Sequence, residues 1–289
     1  MVLPEFNYYK ASTIEDACKF LADKGAAAKP MAGATDLIPP MRDHAIQPEP
    51  EYLVDLKGLK ELKYLDFDEE EGLKIGALTT LHELEVSELV KEKNPAVAAA
   101  AKYIASTQVR FKGTLVGNIC NASPSMDSAP NLLAQNAKIL IQGVNGKRSV
   151  QAEEFFKGVK KTCLEEGEIV TGVVIPPLKA NEKAAYIKHA VRKAMDLAII
   201  GVAVKVVMNG DVVEDAKIAL GAVATTPIRA PKAEEALKGN KVTPEVLEKV
   251  AEAAMDSCSP ISDIRASKEY RKAMIGVFTK RAILQALEA

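Results

Sequence analysis

Lys112-Gly-Thr-Leu-Val-Gly-Asn-Ile-Cys-Asn-Ala-Ser-Pro-Ser-Met-Asp-Ser128 is the stretch that decides how the rest of the chain is read. It holds two glycines, three Asn or Asp residues, four hydroxyl side chains and one proline, with no positive charge after Lys112. It interrupts chain that reads as regular helix, from 94 to 105 before it and from 129 to 136 after it. A polar, glycine-bearing break of this length in a compact chain is more often a binding loop than a plain connector. A second stretch of similar character lies upstream, Ala32-Gly33-Ala34-Thr35-Asp36. Each offers backbone amides, a threonine hydroxyl and room for close approach. Those are the features that let amide dipoles carry a pyrophosphate without basic side chains. Either one alone is more often only a turn; two together shift the balance modestly toward a dinucleotide.

Working outward, the first stretch of chain reads as a small α/β unit. A strand at 6–10 is followed by an amphipathic helix at 13–24, with Ile14, Ala17, Cys18 and Leu21 at helical spacing and Ser12 and Glu15 as a capping box. Strands are expected at 29–32 and 51–55. The glycine loop at 32–36 follows the second strand, the end at which ligands meet such sheets. Next come a hairpin over 62–77, a capping box at Thr80 and Glu83 opening a helix to about Val90, and Asn94-Pro95 as cap and first helical residue. Asn145-Gly146 marks a hairpin, 166–175 a strand, and Pro176-Pro177 a boundary. Beyond it, strands are expected at 186–192, 198–208 and 212–222, then helices from Thr243 and over 268–287. The division that results is 1–57, 58–177 and 178–289.

Composition narrows the function. The 289 residues are 48% hydrophobic and 27% charged with a formal net charge of -1, a soluble globular balance without the basic excess of a nucleic-acid surface. No apolar run reaches the roughly 18 residues of a membrane span. The N-terminus has no basic start followed by an apolar segment, so no secretory signal is visible and the expected compartment is the cytoplasm. Cys18, Cys120, Cys163 and Cys258 are widely spaced, as are His44, His82 and His189. Neither set has zinc-ligand or iron–sulfur spacing, so no metal site is expected in this chain. Cys120 follows apolar Ile119 and reads as a packed thiol rather than a nucleophile. There is no G-x-G-x-x-G, no P-loop and no G-x-S-x-G.

Several segments, taken in order, resemble the flavoprotein subunits of molybdenum hydroxylases such as xanthine dehydrogenase, carbon monoxide dehydrogenase and nicotinate dehydrogenase. Ala32 to Leu37 resembles their A-G-G-T-D-L, and Ile75 to Thr80 their I-G-A-x-T-T. Thr114 to Ile119 resembles T-x-G-G-N-I, with Ser123, Pro124, Asp127 and Ser128 matching S-P-x-x-D-S. Met195-Asp196-Leu197 matches M-D-x, and Arg265 to Arg271 resembles R-A-S-x-E-Y-R. The resemblance implies an α+β fold: a two-lobed FAD-binding domain of the vanillyl-alcohol oxidase/PCMH type, then a smaller α+β C-terminal domain. It implies non-covalent FAD, with NAD as an electron acceptor. It also implies a large molybdopterin subunit and a small [2Fe–2S] subunit as partners, in a dimer of heterotrimers. No cysteine-rich insertion like that of 4-hydroxybenzoyl-CoA reductase is present.

Carried over by position, the resemblance assigns FAD contacts to Lys29, Pro30, Met31, Ala32, Gly33, Ala34, Thr35 and Asp36, and to Thr114, Leu115, Val116, Gly117 and Asn118. It places Asp127 on the ribityl chain and Ile169 as an apolar contact. Lys188 becomes a lysine near the flavin that could stabilise the reduced ring; read alone it is equally a solvated strand lysine. No catalytic residue is assigned in this chain. Two positions depart from the family: Ala34 and Val116 stand where glycine is usual. A β-branched Val116 resists a positive φ, so either that position needs none or the loop is rearranged. Two other readings remain: a stand-alone flavin oxidoreductase of the same fold, and a scaffolding subunit that has lost FAD.

Overall fold

The computed structural model describes residues 2–288. β1 (Asn7–Lys10), α1 (Ile14–Lys24), β2 (Ala28–Met31), α2 (Ile38–Arg42) and β3 (Tyr52–Asp55) form the first lobe. Its sheet is parallel with β3 in the centre, Leu53 lying opposite both Tyr8 and Lys29. The α1 cap sits one residue later than expected: Thr13 accepts from the Asp16 amide, while Ser12 donates its own amide to Asp16. Tandem hydroxyls before tandem acids allow either frame, and the buried face of Ala17, Cys18 and Leu21 selects this one.

The second lobe runs through β4 (Leu65–Asp68), β5 (Gly72–Gly76), α3 (Leu81–Val86), α4 (Glu88–Lys93), α5 (Pro95–Tyr103), α6 (Thr107–Arg110), α7 (Leu115–Asn121), α8 (Ser128–Ala134), β6 (Lys138–Gly143), β7 (Gly146–Gln151), α9 (Ala152–Phe155), β8 (Phe156–Gly158), β9 (Lys161–Thr162) and β10 (Ile169–Ile175). Five strands pair in the order β4-β5-β10-β6-β7, with β10 central. The Thr80–Glu83 capping box is present, but the helix expected to reach Val90 breaks at Ser87, whose hydroxyl caps a new helix. The stretch 112–128 is not a continuous loop. Thr114 caps α7, which leaves 112–114 and 122–127 as the non-helical parts of the stretch before α8.

The remainder is β11 (Glu182–His189), β12 (Ile200–Asn209), β13 (Val212–Gly221), β14 (Ile228–Arg229), α10 (Pro231–Leu237), α11 (Pro244–Asp256) and α12 (Lys268–Glu288). The four strands form an antiparallel meander, and the helices cover one side of it. The other side receives α5 and α8 of the second lobe. Tyr186, Ala203 and Ala219 of this sheet accordingly join the hydrophobic core of the first 177 residues. α10 has no counterpart in the sequence reading, although Pro231 stands at its N-terminus as helix-initiating prolines do.

Candidate functional site

The two glycine stretches meet. Gly33 lies against the backbone of the second stretch: a Cβ added there would be 1.9 Å from the Lys112 carbonyl oxygen and 2.9 Å from the Gly113 Cα. On the other side, a Cβ on Gly113 would be 3.2 Å from Thr35 Oγ1. At Gly33 only a residue without a side chain allows this approach, because what it meets is backbone; at Gly113 the fit is tight but less strict. Lys29, Pro30 and Met31 belong to β2 and bring the first loop to this point, with Met31 packed on Met41 and Leu53. Ala34 then takes φ +60°, a left-handed conformation. Its carbonyl accepts from the amides of Leu37 and Ile38, turning the chain into α2. Among the described residues, nothing accepts from the amides of Gly33, Ala34, Thr35 or Asp36.

The second stretch is held from behind. Arg110, buried, donates to Glu85 at 2.7 Å and to the Ile104 carbonyl at 3.0 Å. Gly113 donates to the Val109 carbonyl and accepts from the Leu81 amide, which joins it to α3. Thr114 Oγ1 accepts from the Gly117 amide at 2.9 Å, an N-cap worth about 1 kcal/mol. Leu115 and Val116 are buried in the first turn of α7. Val116 therefore needs no positive φ. The two departures from the family pattern are physically unlike: Ala34 has the strained backbone and Val116 does not. Asn118 accepts from the Ser128 hydroxyl at 2.5 Å, tying α7 to the start of α8.

Asp127, Lys188 and Tyr186 form a buried cluster. The Tyr186 hydroxyl donates to Asp127 Oδ1 at 2.8 Å, and Lys188 Nζ donates to Oδ2 at 2.8 Å. Lys188 also donates to the carbonyls of Tyr103 at 3.0 Å and Asp196 at 2.7 Å. With a side chain only 5% exposed, it is not a solvated strand lysine. Its ammonium has three protons and three acceptors, and Asp127 balances its charge. Burial pushes the Asp127 carboxyl above its ordinary value, with Lys188 and Tyr186 pulling the other way. Burial, then Asp127, raises the Tyr186 phenol well above its usual range, so it stays a donor.

Ile169 is joined to this group by no hydrogen bond or strand pairing among the described residues. It is buried at the start of β10, opposite Gln142, whose carbonyl accepts from the Cys18 thiol. Cys120 is a half-buried free thiol whose pKa is pushed up to about 12 by burial, the state of a packed cysteine. No cluster of metal-binding side chains exists among the described residues. A cavity of about 390 Å³ bordered by Tyr64 and Glu83 includes none of the candidate residues. Another, of about 240 Å³, is bordered by Pro124, Ser125, Leu197 and Arg271. Sequence reasoning missed Tyr186 and Tyr103, which carry no local motif.

Residues 4–178 match the family model described as FAD binding domain in molybdopterin dehydrogenase, and residues 185–286 match CO dehydrogenase flavoprotein C-terminal domain. The chain belongs to the FAD-binding medium subunits of the molybdenum hydroxylase family, flavoprotein subunits of oxidoreductases, as the sequence resemblance implied. It is 36% identical over 282 residues to the glyceraldehyde dehydrogenase medium chain of Sulfolobus acidocaldarius, covering 98% of each chain. It is 35% identical to the carbon monoxide dehydrogenase medium chain of Hydrogenophaga pseudoflava, covering 98% of this chain and 97% of that one. Its fold matches a carbon monoxide dehydrogenase structure from Hydrogenophaga pseudoflava with a TM-score of 0.95 at 36% identity, over 100% of this chain and 99% of that one. The expected fold class is thereby borne out.

Proposed function

We propose that this chain holds FAD between its two glycine stretches and serves as the electron-transfer subunit of a molybdenum hydroxylase. It would take electrons from the [2Fe–2S] clusters of a small partner subunit and pass them to NAD or another acceptor. Substrate oxidation would occur on a large molybdopterin subunit, in a cytoplasmic dimer of heterotrimers. The observation that carries this reading is the approach of Gly33 to Lys112 and Gly113, which puts both loops at one point.

The residues present fit the cofactor. The amides of Gly33 to Asp36 are open donors for a pyrophosphate, and Thr114 to Asn118 supply the facing helix start. Lys29, Pro30, Met31 and Ala32 set the approach of the first loop. Asp127 has acceptor capacity left for a ribityl hydroxyl. Lys188 makes no further hydrogen bond, so its influence on a flavin ring acts through space and is reduced by its carboxylate partner. Bound FAD supplies chemistry that accepts electrons singly and releases them in pairs, which suits such a junction.

Ala34 keeps the turn without glycine and Val116 is helical, which favours FAD retention over a scaffold that has lost it. No helix among the described residues is long and apolar enough to cross a membrane. The test is the absorption spectrum of the purified complex. Flavin bands at about 370 and 450 nm are expected, with a molybdenum-containing subunit co-purifying. A colourless, folded complex overturns FAD binding. A yellow protein that purifies alone favours the stand-alone oxidoreductase.

A further inference from the structure

We infer that Tyr186 is a positioning residue for the cofactor, fixing the Asp127 carboxylate so that its open lone pairs meet a donor on the FAD side chain. The inference rests on the assignment of Asp127 as a ribityl ligand and adds a residue with no place in that assignment. Of the groups in the buried cluster, Lys188 has every proton engaged, on Asp127, Tyr103 and Asp196. Tyr186 has one proton, and it is on Asp127. An ionised carboxylate accepts up to about four hydrogen bonds, and two are recorded. What the cluster presents to a ligand is therefore acceptor capacity on Asp127, which selects a hydroxyl or amide donor and disfavours a carbonyl or phosphate.

The phenol is held so that its hydroxyl has one place to go. Tyr186 is 2% exposed. Its ring meets that of Tyr103 edge to face, 6.2 Å between centroids. On the neighbouring strand, a Cβ on Gly201 would lie 2.8 Å from Tyr186 Oη, so glycine there leaves room for the hydroxyl. Tyr186 lies on the C-terminal sheet and Asp127 heads a helix of the second lobe, 59 residues earlier. The carboxylate orientation is thus set from across the boundary between the two.

The test uses the assembled complex, stripped of FAD and retitrated by flavin fluorescence. The probes are FAD and a set of analogues each lacking one ribityl hydroxyl. The wild type should prefer FAD over one analogue by about tenfold or more, the size of one hydrogen bond to a charged acceptor. Asp127→Ala should bring that ratio close to one; an unchanged ratio overturns the Asp127 assignment itself. Tyr186→Phe should weaken FAD by about tenfold and also shrink the ratio, because a carboxylate free to turn discriminates less. If Tyr186→Phe weakens FAD and the analogue equally, the hydroxyl is merely structural and the positioning role is overturned while Asp127 stands. Gly201→Ala, which crowds the hydroxyl without removing it, should move the ratio the same way by a smaller amount and decides the case if the phenylalanine variant does not assemble.

Discussion

Ala34 and Val116 stand in two short stretches of similar composition, each at one position of a pair where the family's usual residues are both glycine: Ala34 follows the retained Gly33 and Val116 precedes the retained Gly117. Their backbones differ. Ala34 sits at φ +60° in a turn where, among the described residues, nothing accepts from the Thr35 and Asp36 amides. Val116 sits in the first turn of a capped helix with its side chain buried. The first stretch is an open turn that holds a strained residue; the second is a packed helix start. Glycine is used in such places for two separable reasons, positive φ and close approach, and a sequence pattern alone does not say which applies. In the first stretch both apply at adjacent residues, Gly33 for approach and Ala34 for φ.

Substitutions can break this comparison. The largest effect is expected at Gly33→Ala, whose methyl would overlap the Lys112 carbonyl. Because backbone, not a flexible side chain, must yield, a loss of roughly 3 kcal/mol is expected, with FAD occupancy falling as the loops part. Urea unfolding and the ratio of flavin to protein absorbance measure the two effects; a normal value for both would mean the loops do not need to touch. Next is Val116→Gly. It restores the family residue, yet should cost roughly 2–3 kcal/mol by removing a buried side chain and placing glycine in a helix. Stabilisation would instead mean that the helix start is absent in solution. The smallest is Ala34→Gly, expected to stabilise by about 0.5–1 kcal/mol through relief of the left-handed backbone, less the entropy of a freer unfolded chain. A thermal melt at matched FAD saturation resolves it. Opposite signs for the two glycine restorations would confirm that the stretches are unlike.

Much of this fold is legible where one residue pair sets the local geometry. Thr80 with Glu83 forms the expected capping box, and the hairpin marked by Asn145-Gly146 is present, although the two residues between its strands are Val144 and Asn145 and Gly146 pairs with Gly143; caps and tight turns depend on neighbours only. The stretch 112–128 is legible as a candidate site and not as a structure. Its small polar residues signal a break, while the Thr114 cap and the burial of Leu115, Val116 and Ile119 make half of it helical. Burial against distant elements is not written in a local window. The same holds for the site. The glycine stretches show themselves through motif, but their contact depends on β2 and α6 arriving at one place. Tyr186 reads as an ordinary alternating strand residue, and only the docking of β11 on α8 gives its hydroxyl a partner.

The Lys188 ammonium has a consequence for the order in which the site is made. It ties the end of α5 to the head of α8 and to the Asp196 carbonyl. Both glycine stretches leave the ribosome before residue 120, whereas the cation that balances Asp127 comes some 60 residues after that carboxylate. Until then the acid must stay hydrated, because an unpaired buried charge is costly. On the proposal that Asp127 faces the cofactor, the floor of that site would stay wet until the C-terminal sheet closes over it, and cofactor loading would be gated by completion of the chain rather than by the two loops alone.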